Sequence, residues 1–276
     1  MSRLRFDVDW VPAELERCRE LIAERPAPQR WTKPTGSGTE LVTDIDLAIE
    51  RLLISAIQEQ LPDAVILSEE SSPDPDALAA PICAVIDPID GTEEFVAGRP
   101  GFAISIAFFD HGQPVAAFLD LPAQDRRFRC TAGGSVWLNG ATVALSEVDR
   151  LSEARLAVSA TQYGMDALRW FWDSIDVAAL IPTPAFTPKF AAVLAGDCDA
   201  ALYLPVRPHR TAIWDYAAVG LLMREAGGWF GSTDGTDLYE QRPFTYSGGW
   251  VATPMRLREQ LLAVADRLGA SDSAES

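Results

Sequence analysis

Two carboxylates three residues apart, Asp87 and Asp90 in Asp87-Pro-Ile-Asp-Gly-Thr92, carry the clearest chemical potential in the chain. They leave an apolar run, Ile82-Cys-Ala-Val-Ile86, where an unpaired charge is costly. Pro88 fixes one backbone angle, and Gly91 permits a tight turn into Thr92-Glu-Glu-Phe95, which reads as a helix start. The Gly91 and Thr92 N–H groups at such a start can seat a phosphate. One turn therefore offers hard oxygen ligands for a divalent cation beside donors for an anion. Mg²⁺ suits that combination, because it takes few carboxylates and fills its other positions with water and substrate phosphate. Read structurally, the same hexapeptide is a tight turn with Asp caps.

Other acids also fall at element ends. Ser68-Glu-Glu-Ser71 follows the run Ala64-Val-Ile-Leu67, so Glu69 can reach the same rim. Trp214-Asp215 opens a helix, where an acid suits the first turn on dipole grounds alone. With Asp87 and Asp90 these make four carboxylates, enough for two or three magnesium ions. Glu40-Leu-Val-Thr-Asp-Ile-Asp46 adds acids before an amphipathic helix, and Asp44 or Asp46 as a cap is the structural alternative.

The elements that must hold these residues are legible in part. Pro12 opens a helix with Leu15, Cys18, Leu21 and Ile22 on one face, and Ile45 to Leu61 is the clearest amphipathic helix. A loose polar stretch, 30–39, separates them. The runs 64–67 and 82–86 suit strands buried on both faces. Residues 102–109 and 114–119 read as a hairpin around Asp110-His-Gly-Gln113, 128–132 as a further strand, and Leu138-Asn-Gly140 as a turn. Beyond residue 150 the expected order is strand 155–159, helix 165–175, helix 188–195, strand 200–204, helix 214–226 closed by Gly227-Gly228, and helix 255–268. The expectation is an N-terminal α+β half, 1–150, tightly packed on a C-terminal α/β half, 151–276.

Bulk properties narrow the function. Among 276 residues, 23 Lys plus Arg against 40 Asp plus Glu give a net charge of −17, which argues against a nucleic-acid polymer or anionic membrane as partner. A hydrophobic content of 48% with eight Trp is ample for a core. Cys18, Cys83, Cys130 and Cys198 form no close pair for zinc or redox chemistry and read as buried reduced thiols. Asp7 and Asp9 fall where a signal peptide needs an apolar run, and the longest uncharged stretch, 130–146, is turn-rich. The expected location is cytoplasmic.

Taken in order, these motifs resemble those of the inositol monophosphatase family of magnesium-dependent, lithium-sensitive phosphatases. Asp87-Pro-Ile-Asp-Gly-Thr92 resembles its D-P-x-D-G-T signature. Trp214-Asp215-Tyr-Ala-Ala218 with Glu225-Ala-Gly-Gly228 resembles its W-D-x-A-A and E-A-G-G signatures. Leu41-Val-Thr43 with Asp46, and Ser68-Glu-Glu-Ser71, match two upstream motifs, and the likeness runs from about residue 10 to 255. The resemblance implies an α/β fold, a layered α-β-α-β-α sandwich of the inositol monophosphatase and fructose-1,6-bisphosphatase type, commonly a homodimer. It further implies that Glu69, Asp87 and the Ile89 carbonyl hold one metal, and that Asp87, Asp90 and Asp215 hold a second. A third, weaker ion would involve Glu69 or Glu70, which brings Glu70 among the catalytic residues. The Gly91 and Thr92 N–H groups would seat the phosphate, while the Thr92 hydroxyl and Asp46 orient and deprotonate the attacking water. Paired metals supply what phosphate ester hydrolysis needs without a histidine base. His111 sits in the hairpin turn, and His209 is a candidate for the pocket lining.

The expected activity is therefore that of a Mg²⁺-dependent phosphomonoesterase acting on a small phosphorylated substrate of the inositol monophosphate kind. The alternative is a 3′(2′),5′-bisphosphate nucleotidase acting on 3′-phosphoadenosine 5′-phosphate. Glu93-Glu94-Phe95 and Lys189-Phe190 look like that branch, and Arg207 and Arg210 would stand near a second phosphate. Two positions depart from the family pattern. Pro208 stands where the inositol branch carries an acid, and Ala185-Phe186-Thr187 replaces a Gly-Ser or Gly-Thr pair, placing the Phe186 ring where sugar hydroxyls would bind. A non-catalytic metal- or phospholigand-binding protein on the same fold is the distant alternative.

Overall fold

The computed structural model describes residues 5–24, 28–35, 38–71, 74–205 and 210–272. Its first layer is α1 (Val11–Glu24) and α2 (Asp44–Gln60), joined through an antiparallel hairpin of β1 (Arg30–Thr35) and β2 (Gly38–Thr43). Thr43 caps α2, with its hydroxyl accepting from the Ile45 and Asp46 N–H groups, while Asp46 closes the box by accepting the Thr43 N–H at 3.0 Å. The cap is thus Thr43, and Asp46 serves it from the third helical position; Asp44 instead accepts the Gln29 N–H at 2.9 Å.

The helices pack on a seven-stranded sheet of order β3-β4-β5-β6-β7-β8-β9. Its strands are β3 (Val65–Ser68), β4 (Ile82–Asp90), β5 (Ala103–Asp110), β6 (Gln113–Leu121), β7 (Arg126–Thr131), β8 (Trp137–Leu138) and β9 (Ala141–Thr142). A short helix, α3 (Thr92–Val96), leaves the end of β4. Alternation along β4 divides the core: Ala84 and Ile86 meet α1 and α2, while Cys83 and Val85 face the opposite side. Both faces are buried, which is why the run reads as continuously apolar.

On that opposite side lie α6 (Thr187–Leu194) and α7 (Ile213–Glu225), sandwiched between the first sheet and a second. The intervening elements are α4 (Ala160–Tyr163), α5 (Arg169–Ser174), β10 (Arg155–Ser159), β11 (Ala179–Thr183), β12 (Ala200–Tyr203), β13 (Thr211–Ala212), β14 (Gly228–Ser232), α8 (Leu238–Gln241), β15 (Thr245–Tyr246) and β16 (Trp250–Pro254). The second sheet has the order β11-β10-β12-β16-β14. Its outer face is covered by α5 and by α9 (Arg258–Asp272), through Phe171, Trp172, Leu261 and Val264. Helices, sheet, helices, sheet and helices alternate, which is the expected α-β-α-β-α sandwich. The α7 helix is apolar all round because it is buried between two sheets.

Several elements differ from the sequence expectation. The described parts of the polar stretch, 30–35 and 38–39, lie in a hairpin, a form stabilised by cross-strand pairing and invisible to hydrophobic periodicity. The segment expected as one helix, 165–175, is a 3-10 turn at Asp166–Leu168 followed by α5. Strands β11, β14 and β16 were not anticipated, since short apolar runs rich in Gly, Pro or Thr carry no period of their own. The pair Gly227-Gly228 both ends α7 and begins β14; a Cβ on Gly228 would meet Leu145 and Met223 atoms at 2.8 Å. The hairpin turn is confirmed at His111 and Gly112, both at positive φ. All four cysteines are buried and free. No helix among the described residues is long and apolar enough to cross a membrane.

Candidate active site

The acidic hexapeptide is not a turn after β4 but its irregular end. Pairing with β5 runs Asp87 to Ser105 and then Asp90 to Ala103, so the stretch from Asp87 to Asp90 holds one residue more than its partner. Side chains three apart on a regular strand face opposite ways; the bulge returns Asp90 to the side of Asp87. The first turn of α7 brings Asp215 to meet them. One carboxylate oxygen from each of Asp87, Asp90 and Asp215 lies within 4.8 Å of the others.

The three differ in what else holds them. Asp90 accepts the Thr187 N–H, and Asp215 accepts the Ala212 N–H at 2.6 Å, while the Thr187 hydroxyl donates to the Asp215 carbonyl at 2.9 Å. Asp87 is 0% exposed, and among the described residues no N–H or hydroxyl donor reaches either of its carboxylate oxygens, whose neighbour is the Glu69 carboxyl. Burial pushes its pKa well above the usual carboxylate range, and the charges of Glu69, Asp90 and Asp215 push it further. Asp215 is raised by burial and then by Asp90 and Glu69; Asp90 is raised by burial against the Thr187 hydrogen bonds. A divalent cation fits this set. Its ligands would be hard oxygens, and it would supply the compensation that Asp87 lacks.

Glu69 and Glu70 reach the site from the end of β3, and there they meet Lys33 of β1. The Lys33 ammonium stands 3.1 Å from Glu69 Oε1, 2.8 Å from Glu70 Oε1 and 3.9 Å from Glu40 Oε2. Burial lowers the Lys33 pKa, but the pairs with Glu69 and Glu70 outweigh it and hold the ammonium charged. Burial pushes Glu69 up to about 7 in spite of Lys33, and also raises Glu70.

On the other flank, the Thr92 hydroxyl lies 3.2 Å from Asp46 Oδ1 and 3.1 Å from the Ile89 carbonyl. Its single proton serves one acceptor at a time. Asp46 is buried, with its other oxygen taken by Thr43, and burial raises its pKa. Gly91 caps α3 at φ 88°, and a Cβ there would lie 2.7 Å from the Gly101 carbonyl and 2.9 Å from the Ala185 Cβ. Only glycine fits.

Glu69, Asp87, Ile89, Asp90, Gly91, Thr92 and Asp215 line one cavity of about 670 Å³, which Glu40, Glu94, Arg99, Thr161 and Met165 also border; Lys33, Asp46 and Glu70 are outside its lining. Phe186 borders it too, but is 6% exposed, and its ring packs on Phe190 and Trp250, with centroids at 4.6 and 5.6 Å. Lys189 borders it as well, yet is 1% exposed and donates to the Ala185 carbonyl at 2.8 Å. Arg210 is exposed and outside the cavity lining; Arg207, Pro208 and His209 lie outside the described residues. His111 is exposed, beside Asp110 and Arg5.

Sequence reasoning missed Lys33, the Thr187 N–H and the Arg99–Glu94 ion pair at the rim. The last carries a local signal, an acid and a base five residues apart around a turn. Nothing local marks the other two, because tertiary packing alone brings them to the acids.

The family model that matches the chain is that of the inositol monophosphatase family, over residues 14–269. An inositol monophosphatase of Dictyostelium discoideum is 34% identical over 197 residues, 68% of this chain and 71% of that protein. The inositol-1-monophosphatase of Bacillus subtilis is 31% identical over 219 residues, 75% and 76% of the two chains. In structure, an IMPase of Thermotoga maritima superposes with a TM-score of 0.80 over 95% of this chain and 98% of its own; at 22% identity that likeness concerns the fold. The chain therefore belongs to the inositol monophosphatase family of phosphatases, which are phosphoric monoester hydrolases.

Proposed function

We propose that the protein is a Mg²⁺-dependent phosphomonoesterase that hydrolyses a small phosphate ester of the inositol monophosphate kind to its alcohol and inorganic phosphate. The observation that carries this reading is Asp87, a buried carboxylate with no donor on either oxygen, set in a triad with Asp90 and Asp215 beside the Gly91–Thr92 backbone. Asp87, Asp90 and Asp215 would hold one ion, and Glu69, Asp87 and the Ile89 carbonyl another, with Glu70 towards a third. Bound there, magnesium supplies the charge that neutralises the phosphoryl oxygens and eases loss of a proton from water.

The chain's own groups do the rest. The N–H groups of Gly91 and Thr92 receive the phosphate, since the first turn of α3 leaves them without helical acceptors. Among the described residues no donor is seen on the Thr92 hydroxyl oxygen, so it can orient a water while passing its own proton towards Asp46. The elevated pKa of Asp46 makes it a better proton acceptor than an ordinary aspartate. The cavity beyond Thr92 accommodates the alcohol.

Phosphate release from a panel of esters, with magnesium and with a chelator, tests the reading. Magnesium-dependent turnover of an inositol monophosphate is expected. Magnesium binding without turnover of any ester would instead indicate a binding protein. Preference for 3′-phosphoadenosine 5′-phosphate would indicate the nucleotidase.

A further inference from the structure

An ammonium group buried without an ion-pair partner is costly, and Lys189 is such a group. Among the described residues no carboxylate stands within salt-bridge distance of it. Its contacts are the Ala185 carbonyl at 2.8 Å and the ring faces of Tyr203 and Phe190, at 5.3 and 5.8 Å from the centroids. Neither cation–π contacts nor one carbonyl replaces the hydration of a full charge. The remaining compensation is the acidic triad, which lines the same cavity and whose Asp90 accepts the Thr187 N–H two residues from Lys189; burial pulls the Lys189 pKa down to about 8, and the charge of Asp90 opposes that fall. Lys189 belongs to the cavity wall, but at 1% exposure and tied to Ala185 its ammonium is enclosed there.

We propose that Lys189 is an internal counter-ion of the metal-binding carboxylates, a positioning residue whose charge moderates how tightly they hold a divalent cation. This rests on the reading of Asp87, Asp90 and Asp215 as metal ligands. In the metal-free protein the fixed cation offsets part of the repulsion among three converging acids. When a divalent cation arrives, the same charge opposes it, because two like charges now share a dry region. Lys189 thereby stabilises the empty site and weakens the filled one. A purely structural role has the opposite signature. Through the Ala185 carbonyl Lys189 also steadies a residue at φ 54°, whose Cβ abuts Gly91, and loss of that tie would loosen the site and weaken metal binding.

Magnesium binding to the metal-stripped full chain, measured by titration calorimetry together with the thermal midpoint, separates the two. Lys189→Gln keeps a donor for Ala185 and removes the charge; Lys189→Met removes both. Both variants are expected to bind magnesium about tenfold more tightly than wild type, as loss of a like charge nearby requires, and to melt lower without metal. Unchanged or weaker affinity in Lys189→Gln overturns the proposal. So does a wild-type-like Gln variant beside a weakened Met variant, which assigns the residue to holding Ala185. Asp90→Asn tests the underlying reading: if wild type binds magnesium and this variant does not, the ligands stand and the lysine result is judged alone. If wild type binds none, both fail. Should neither lysine variant fold, the double variant Asp90→Asn/Lys189→Met, which removes one charge of each sign, is expected to fold; its failure also overturns the proposal.

Discussion

A buried carboxylate normally finds a donor for each oxygen, because leaving it bare forfeits hydration without replacement. Among the described residues Asp87 finds none, and the acids around it make its charge more costly still. Asp90→Asn removes one of those charges without opening a cavity. Turnover is expected to fall by roughly 10²–10³-fold or more, the scale set by loss of one preorganised electrostatic partner, while the metal-free protein melts no lower than wild type. Steady-state kinetics beside a circular-dichroism melt checks both halves. Glu69 gives a second prediction. Its pKa rises on folding from 4.5 to about 7, so between those values the folded state binds more protons than the unfolded one. Stability of the metal-free protein from this group is therefore lost as pH rises from about 4.5 through about 7, and magnesium should restore it above that range. Thermal midpoints across this window, with magnesium and with chelator, will show it; a metal-free midpoint that climbs with pH would contradict the assignment. The residue types of this cluster were legible in the sequence. Their pKa values were not, since burial sets them.

At the scale of elements, the end of β4 converts a strand into a site. Its bulge aligns Asp87 with Asp90, Gly91 turns the chain at positive φ, and α3 begins at once. Gly91→Ala would place a Cβ 2.7 Å from the Gly101 carbonyl in a left-handed conformation. A loss of about 1–3 kcal/mol is expected, with phosphate affinity falling more than magnesium affinity, measurable by denaturant unfolding and product inhibition. The N-terminus of α2 shows a similar economy. One oxygen of Asp46 closes the helix cap while the other faces Thr92, so capping leaves one oxygen free for the role proposed for it. Thr43→Ala is expected to cost about 1 kcal/mol and also to slow turnover, because it frees Asp46 from the cap that orients it. Helical periodicity made α2 legible, while α7 was legible from its length and the closing Gly227-Gly228. The β1–β2 hairpin was not, since its stability comes from a partner strand and its polar sequence has no period.

For the whole molecule, the alternation of helices and sheets determines which charges can be buried together. The α7 helix lies between the two sheets, so Asp215 arrives at the end of β4 from far along the chain. Trp250 of β16 anchors the layer beneath, fully buried, with its indole N–H donating to the Thr211 hydroxyl at 3.1 Å and its ring against Phe186, Tyr216 and Phe230. Trp250→Ala is expected to cost about 3–5 kcal/mol and to lower activity as well, because Phe186 then loses the packing that fixes the Ala185–Thr187 backbone beside Asp90. Chemical denaturation and kinetics on the same preparation test that link. The net charge of −17 described a bulk property; the layers bring Glu69, Asp87, Asp90 and Asp215 of those acids to one cavity. By itself the sequence determined the acidic hexapeptide, the first-turn position of Asp215, the capped α2 and the buried strand before Asp87, because each depends on neighbours a few residues away. Only the tertiary structure decided that Lys33 meets Glu69 and Glu70, that the Phe186 ring turns into the core and that Lys189 is enclosed in the cavity wall. Those outcomes depend on which surfaces the layers bring together, and the balance of desolvation and charge inside them exists only once the chain has folded.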